Sequence, residues 1–435
     1  MIKRDKYLNQ LIKSKNNGFP KVITGIRRCG KSFLLKEIFK EHLVSSGVTS
    51  DRIIIIELDD NRNALYRDPI ELSNYVTEKC KGKSECYVFL DEIQKVDTIV
   101  NPAYTEGKHI LAKKTDLSVI SFVDVVLGLS RETNIDLYVT GSNSKMLSSD
   151  IITEFRDKAT EIKLAPLSFK EYFDFVGGNK TEALSEFMYH GGMPLAVLKN
   201  EEEKEIYLKE LFQKTYYADI LEHNNLFKSE SLDELCVILS SCIGTLLNSE
   251  KIANTYVSKK KEKIDKETVT KYINFFIDAF IIKEVKRFDL KGRKYINSTR
   301  KYYFTDLGLR NAKLDFIYQD EGQLLENIVY NELIYNGYNV NAGTFDSFEN
   351  DENGKTIRRS HEVDFLATKG IETFYIQVSS DINKIEIRNR EIKPFKKLND
   401  QIRKIIVINK PIKEMKDENG FSIIGITDFL LNLFK

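Results

Sequence analysis

The sequence predicts an α/β protein: a parallel sheet covered by helices, then a helical stretch, then a second α/β module. Three observations carry this. Short runs rich in Val, Ile or Tyr, at Val22–Thr24, Ile53–Leu58, Tyr87–Leu90 and Leu137–Thr140, recur with room between them for a crossover helix, which marks a parallel sheet buried on both faces. After about residue 166 this pattern gives way to helical periodicity. From about residue 319 strand-like runs return. The chain's 435 residues exceed one ordinary domain, so roughly two to four are expected.

Taken in order, the first sheet is interrupted by Thr98–Ser121, which carries Asn101, Pro102 and Gly107 and reads as an inserted loop. A last strand of this region is expected at Glu161–Leu164. Pro166 to Phe173 opens a helical segment that runs to about residue 228. Leu232, Leu235, Ile238, Leu239, Ile243 and Leu246 then recur at helical spacing and define one face of a helix over Ser231–Asn248. Val269, Tyr272, Ile273, Phe276 and Phe280 do the same for Glu267–Ile282. Apolar and basic segments follow to Phe304, and helices followed by a hairpin are the winged-helix order. A helix over Gly322–Asn336 precedes strands at Tyr338–Val340, Glu362–Ala367, Thr373–Ser379 and Lys404–Asn409.

The overall charge excludes little, because 66 Lys and Arg nearly cancel 65 Asp and Glu. No window approaches the roughly 18 apolar residues of a membrane span, and the first 20 residues lack the apolar core of a signal peptide. Cys29, Cys80, Cys86, Cys236 and Cys242 form no C-x-x-C pair and no zinc spacing, so they are expected as reduced thiols of a cytoplasmic protein.

Residues 25–32 read Gly-Ile-Arg-Arg-Cys-Gly-Lys-Ser, the G-x-x-x-x-G-K-S pattern, between a strand and the helical run Phe33–Phe39. Each residue type has a reason. The glycines let backbone N–H groups close around phosphate oxygens, and the helix that follows presents its positive end to them. Lys31 brings a point charge to the β- and γ-phosphates, and Ser32 a hydroxyl to Mg²⁺. The expected ATP-binding set is therefore Gly25, Ile26, Arg27, Arg28, Cys29, Gly30, Lys31, Ser32 and Phe33. Tyr87 to Glu92 is an apolar strand ending in two acids. Asp91 is expected to hold Mg²⁺ and Glu92 to act on the attacking water. After the next strand, Asn143 or Ser142 is a candidate sensor of the γ-phosphate. A helix N-cap at Ser142 is the alternative. Arg156 and Lys158 precede the last strand of the region. Either Arg156 reaches a neighbouring subunit's phosphate, which requires a homo-oligomer, or it is a surface arginine.

These motifs resemble the bacterial and archaeal AAA-type ATPases that carry a C-terminal restriction-endonuclease-like domain of unknown function. The likeness rests on Val22–Ser32, Asp91-Glu-Ile-Gln94, Tyr138–Ser144, Pro166–Tyr172, Gly191-Gly-Met-Pro194, Tyr303–Gly308, Leu325–Glu332 and Glu362–Phe365. The resemblance implies a P-loop AAA-type core over residues 1–165, a helical lid over 166–230, a winged helix over 231–318 and an endonuclease-like α/β domain over 319–435. Lys158 departs from the family's second arginine and cannot make a bidentate fork, which favours Arg156 as the finger. The insertion near 98–121 is also longer than the family's.

Nuclease-like domains of this kind place an Asp on one strand and Glu-x-Lys on the next. Asp364 fits the first position, but Gln377-Val-Ser379 stands in the second. Glutamine is neutral and serine is too short to replace lysine; the alternative is that Glu326 and Glu362, the latter two residues before Asp364 on the same strand face, rebuild a weak site. The expectation is a fold kept without its chemistry. Residues 251–310 hold 16 Lys and Arg against 7 acids, so the remainder of the chain is acidic. Lys259, Lys260, Lys261, Lys271, Arg293 and Lys294 are candidates for DNA phosphate contact. A solvated lysine-rich surface and a protein-docking module are the alternatives. The expected activity is ATP hydrolysis driving a switch on DNA or a DNA-bound partner. An ATP-gated nuclease and a nucleotide-dependent scaffold are the competing readings.

Overall fold

The computed structural model describes every residue except 114, 142–158, 225, 227–229, 261–263, 318–319, 351–354, 381–384 and 434–435. The chain divides into two compact units, Lys3–Ala165 with Asp278–Phe280, and Pro166–Ile277 with Ile281–Lys435. The first contains β1 (Lys21–Thr24), β2 (Ile53–Glu57), β3 (Cys86–Asp91), β4 (Ile99–Val100), β5 (Val119–Ile120), β6 (Ile135–Thr140) and β7 (Thr160–Lys163). Five of them form one sheet in the order β2-β3-β6-β1-β7, parallel throughout. β1 and β3 are buried along their whole length, as a sheet covered on both faces requires. One face packs Leu72, Val76, Val125 and Val126 against Val88 and Val139. On the other, Phe39 meets Phe89 and Tyr138 with ring centroids 5.9 and 5.0 Å apart.

The strand order positions the site. β6 lies between β1 and β3, and its register pairs Ile23 with Thr140, so three strand ends meet on one edge. Lys21, buried at the opposite end of β1, pairs with Asp136 of β6, which also accepts from Tyr138 Oη at 2.7 Å. The 98–121 insertion pairs β4 with β5 antiparallel, outside the main sheet.

The second unit opens with helices Phe169–Val176 and Lys180–His190. Ser168 and Glu171 cap the first of these reciprocally, at 3.2 and 3.0 Å, which explains the Pro-Leu-Ser-Phe-Lys-Glu run as a capping box. Helices Glu230–Ser241, Ser249–Lys260 and Lys266–Asp278 precede the hairpin of β8 (Ile282–Asp289) and β9 (Lys294–Phe304). After helices Leu307–Lys313 and Glu321–Tyr335 come β10 (Asn339–Asn350), β11 (Thr356–Lys369), β12 (Glu372–Ser379), β13 (Arg403–Ile408), β14 (Met415–Lys416) and β15 (Ser422–Gly425). All eight strands share one sheet, in the order β14-β15-β13-β12-β11-β10-β8-β9. The hairpin therefore continues this sheet through β8 and β10, which pair in parallel. An expected boundary at 318/319 falls within one compact unit.

Two of the quoted motifs interlock here. Asp306 caps helix Leu307–Lys313 by accepting from Leu309 N at 3.0 Å and also accepts from Gly192 N at 2.6 Å. A Cβ on Gly308 would lie 2.0 Å from the His190 carbonyl oxygen, and one on Gly191 2.3 Å from Asp306 Oδ1. Glycine is thus required at both. Asn327 closes the third motif, accepting from Phe304 N and donating to Phe304 O, both at 2.8 Å.

Burial pushes the Asp306 carboxyl up to about 6, against the opposing pull of the Gly192, Leu309 and Gly308 N–H groups. The folded protein thus holds this proton more tightly than the unfolded chain, whose aspartates titrate near ~3.9. This contribution to stability is full below about pH 4, falls as pH rises to about 6 and is flat above, an upper bound of about 3 kcal/mol. The difference in urea stability between the protein and Asp306→Asn is expected to change across that window. A constant difference from pH 4 to 7 would refute the shift.

Candidate functional site

The 25–32 loop leaves β1 and enters a helical run from Lys31 to Ser45 whose middle, Leu34–Phe39, is π-helical. Gly25 and Gly30 have φ of 145° and 99°. A Cβ on Gly25 would stand 2.1 Å from Leu164 O, so glycine is needed for close backbone approach. Lys31 is buried, and its ammonium donates to Gly25 O at 2.9 Å and Ile26 O at 3.2 Å. The lysine lies across the mouth of its own loop. Ile26 and Cys29 are buried. Cys29 Sγ faces Leu164 O at 3.6 Å, and burial raises its thiol pKa. Arg28, at φ 62°, and Phe33 are exposed.

β3 delivers Asp91, which is buried at the sheet edge. Ser32 Oγ donates to Asp91 Oδ1 at 2.9 Å, and Thr140 Oγ1 donates to the same oxygen. Lys36 Nζ lies 3.6 Å from Asp91 Oδ2 and pairs with Glu57. The next residue, Glu92, has φ 54°, a left-handed conformation that costs a non-glycine residue on the order of 1 kcal/mol. Its N–H donates to Thr140 Oγ1 at 3.0 Å, and its side chain accepts from Gln94.

The expected loop and both acids are therefore brought together. Thr140 and Lys36 were not anticipated. Thr140 had a signal, as the last residue of an apolar strand. Lys36 had another, standing four residues after Ser32 and so on the same helical face. Asn143 and Ser142, Arg156 with Lys158, and Lys261 lie outside the described residues.

The hydroxyl of Ser32 and the carboxylate of Asp91 are hard oxygen donors that suit Mg²⁺, an ion that takes one or two protein ligands and completes its shell with water and phosphate oxygens. Lys31 and the glycine-opened backbone suit phosphate. The donor set thus fits Mg²⁺ with a nucleoside triphosphate.

In the second unit Lys271, Arg293 and Lys294 are exposed, the latter two at the β8–β9 turn. Lys301 and Arg310 are buried. The positive charge of 251–310 is thus partly internal, and the basic surface is smaller than the count suggests.

Residues 17–173 match the AAA domain family, a span that holds the loop, Lys36, Asp91, Glu92 and Thr140. Residues 181–320 match a domain of unknown function. A protein of Haemophilus influenzae, described as uncharacterised, is 30% identical over 437 residues that cover 99% of each chain. The chain belongs to the family of that protein, and it carries an AAA-type ATPase domain. This AAA ATPase is also 28% identical to an uncharacterised protein of Methanocaldococcus jannaschii, over 94% of this chain and 84% of the other. Among solved structures, the Aeropyrum pernix ORC1 protein in complex with DNA aligns at 12% identity over 72% of this chain and 92% of its own, with a TM-score of 0.27. That likeness is too slight to define a fold or a function. No helix among the described residues of the AAA ATPase is long and apolar enough to cross a membrane.

Proposed function

We propose that this AAA ATPase is a Mg²⁺-dependent, nucleotide-driven switch that acts in the cytoplasm on DNA or a DNA-bound partner. One observation supports it above others: Ser32 and Thr140 converge on a single oxygen of Asp91, with Glu92 next in the chain. Ser32 and Asp91 would hold Mg²⁺, which when bound offsets phosphate charge. Lys31 would exchange the loop carbonyls for the β- and γ-phosphates. Glu92 would orient the attacking water and take its proton. Asn143 is proposed as the sensor residue and Arg156 as a finger toward a second copy in a homo-oligomer.

In this reading residues 1–165 are the motor, 166–230 a lid, 231–318 a winged helix and 319–435 an endonuclease-like domain without cleavage activity. The exposed Lys271, Arg293 and Lys294, together with the lysines at 259–261, support phosphate contact as the winged helix's role. DNA affinity in gel shifts is then expected to fall steeply with salt, because each neutralised phosphate releases counterions. Reversing Lys259, Lys260 and Lys261 to Glu should weaken binding and flatten the log–log salt slope by about 0.9 for each phosphate no longer neutralised. DNA should also change the rate of Mg²⁺-dependent phosphate release. No DNA binding even at low salt would make this segment a protein-docking module instead.

A further inference from the structure

A restriction-endonuclease-like centre implies a divalent cation between carboxylates at strand ends, and the residues here do not fit one. The second unit contains a cleft of about 620 Å³ whose lining includes Lys301, Glu326, Glu362, Asp364, Gln377 and Glu391. Lys301 enters it from β9 with only 3% of its side chain exposed. Its ammonium lies 2.9 Å from Glu326 Oε1, 2.6 Å from Glu362 Oε1 and 3.8 Å from Asp364 Oδ1.

Each of the three carboxyl groups already has one oxygen engaged by a donor. Glu326 Oε1 also accepts from Tyr303 Oη. Asp364 Oδ2 accepts from Val378 N at 2.8 Å. The Gln377 amide donates to Glu391 Oε2 at 2.7 Å, and its oxygen faces Asp364 N at 3.4 Å. Among the described residues no group of three or more His, Cys, Asp or Glu side chains could hold a metal ion. Burial disfavours the Lys301 ammonium, yet Glu326, Asp364 and Glu362 outweigh it and hold this lysine above the ordinary range.

We infer that Lys301 is the resident cation of this cleft, standing where a nuclease-like centre would hold a divalent metal, so that the cleft takes no such metal. This rests on the endonuclease-like reading of residues 319–435. The arrangement also gives the lysine a structural task, since it ties the β8–β9 hairpin to β11 and to helix Glu321–Tyr335. As placed, the three carboxyl groups make no metal site; removing the ammonium leaves them without a counter-ion, so that their hard oxygens are expected to shift together around Mg²⁺ or Mn²⁺.

The test is Mn²⁺ titration of the full chain without nucleotide, followed by electron paramagnetic resonance of the free ion. The Asp364→Asn variant separates this cleft from the Ser32–Asp91 site. The unaltered chain and Asp364→Asn are expected to bind the same amount of Mn²⁺. Lys301→Met is expected to gain one equivalent, to lose it in the Lys301→Met/Asp364→Asn double variant, and to show a Tm that rises with Mn²⁺. One equivalent more on the unaltered chain than on Asp364→Asn overturns the inference, as does a folded Lys301→Met that gains none. If Lys301→Met does not fold, the comparison of the unaltered chain with Asp364→Asn decides alone. Supercoiled plasmid incubated with the protein, ATP and Mn²⁺ keeps the two readings apart. Asp364-dependent nicking defeats the inactive-nuclease reading, whereas Mn²⁺ binding without nicking defeats only the assignment of Lys301.

Discussion

Glu92→Gln is expected to keep ATP binding while phosphate release falls by roughly 10²–10⁴-fold, the usual cost of a lost general base. The geometry separates the two acids. Asp91 is buried and receives hydroxyl bonds from Ser32 and Thr140, so its oxygens face the side chain proposed to share the metal. Glu92 stands one residue on, turned by a left-handed φ of 54° at the strand's end, with its backbone N–H fixed on Thr140 Oγ1 at 3.0 Å. A strained non-glycine conformation persists only where its surroundings enforce it, and here Thr140 does so from the neighbouring strand. Glutamine preserves shape and can still accept from Gln94, but it cannot take a proton at neutral pH. Binding of labelled ATP and phosphate release at saturating Mg²⁺–ATP measure the two halves of the claim. Hydrolysis at the unaltered rate would mean that another residue handles the water.

The candidate nucleotide site was legible because its largest part is local: one strand, one loop and the first turn of one helix within residues 21–33. The acids were legible because packing alone seldom sets two carboxylates at the end of an apolar strand. What sequence order hides is who stands beside whom. Thr140 acts on Asp91 only because β6 is inserted between β1 and β3, and nothing local to residue 140 states that order. β10 runs from Asn339 to Asn350, yet only its first residues read as a strand. Its remainder, Asn-Ala-Gly-Thr-Phe-Asp-Ser-Phe-Glu-Asn, is largely polar and is held by pairing with β11. Lys301 shows the same limit. It counted as one of the cations of a basic segment, and its burial depends on Glu326, Glu362 and Asp364, which arrive from another helix and another strand. Gly191 belongs to one quoted motif and Asp306 and Gly308 to another, and only the fold shows that they are one joint.

Lys31→Ala is expected to weaken ATP binding by roughly 10- to 100-fold, corresponding to the loss of a charge-assisted hydrogen bond of about 1.5–3 kcal/mol. The lysine is placed for this at the start of the helical run, with its ammonium held 2.9 Å from Gly25 O and 3.2 Å from Ile26 O. Those carbonyls keep a buried cation satisfied and aim it at the loop whose N–H groups would receive phosphate. A phosphate oxygen carries more negative charge than a carbonyl, so the ammonium gains by the exchange. Alanine removes that gain, and it also removes the tether across the loop, so loosening of the loop must be told apart from loss of the charge. Lys31→Arg does this: it restores a cation, but its planar fork does not match a compact ammonium site. If the point charge matters, Lys31→Arg should bind ATP more weakly than the unaltered protein while its Tm stays unchanged. If only the tether matters, the arginine should restore affinity in full. Titration of labelled ATP into all three proteins reads this directly, and unchanged affinity in Lys31→Ala would remove the loop from the nucleotide site.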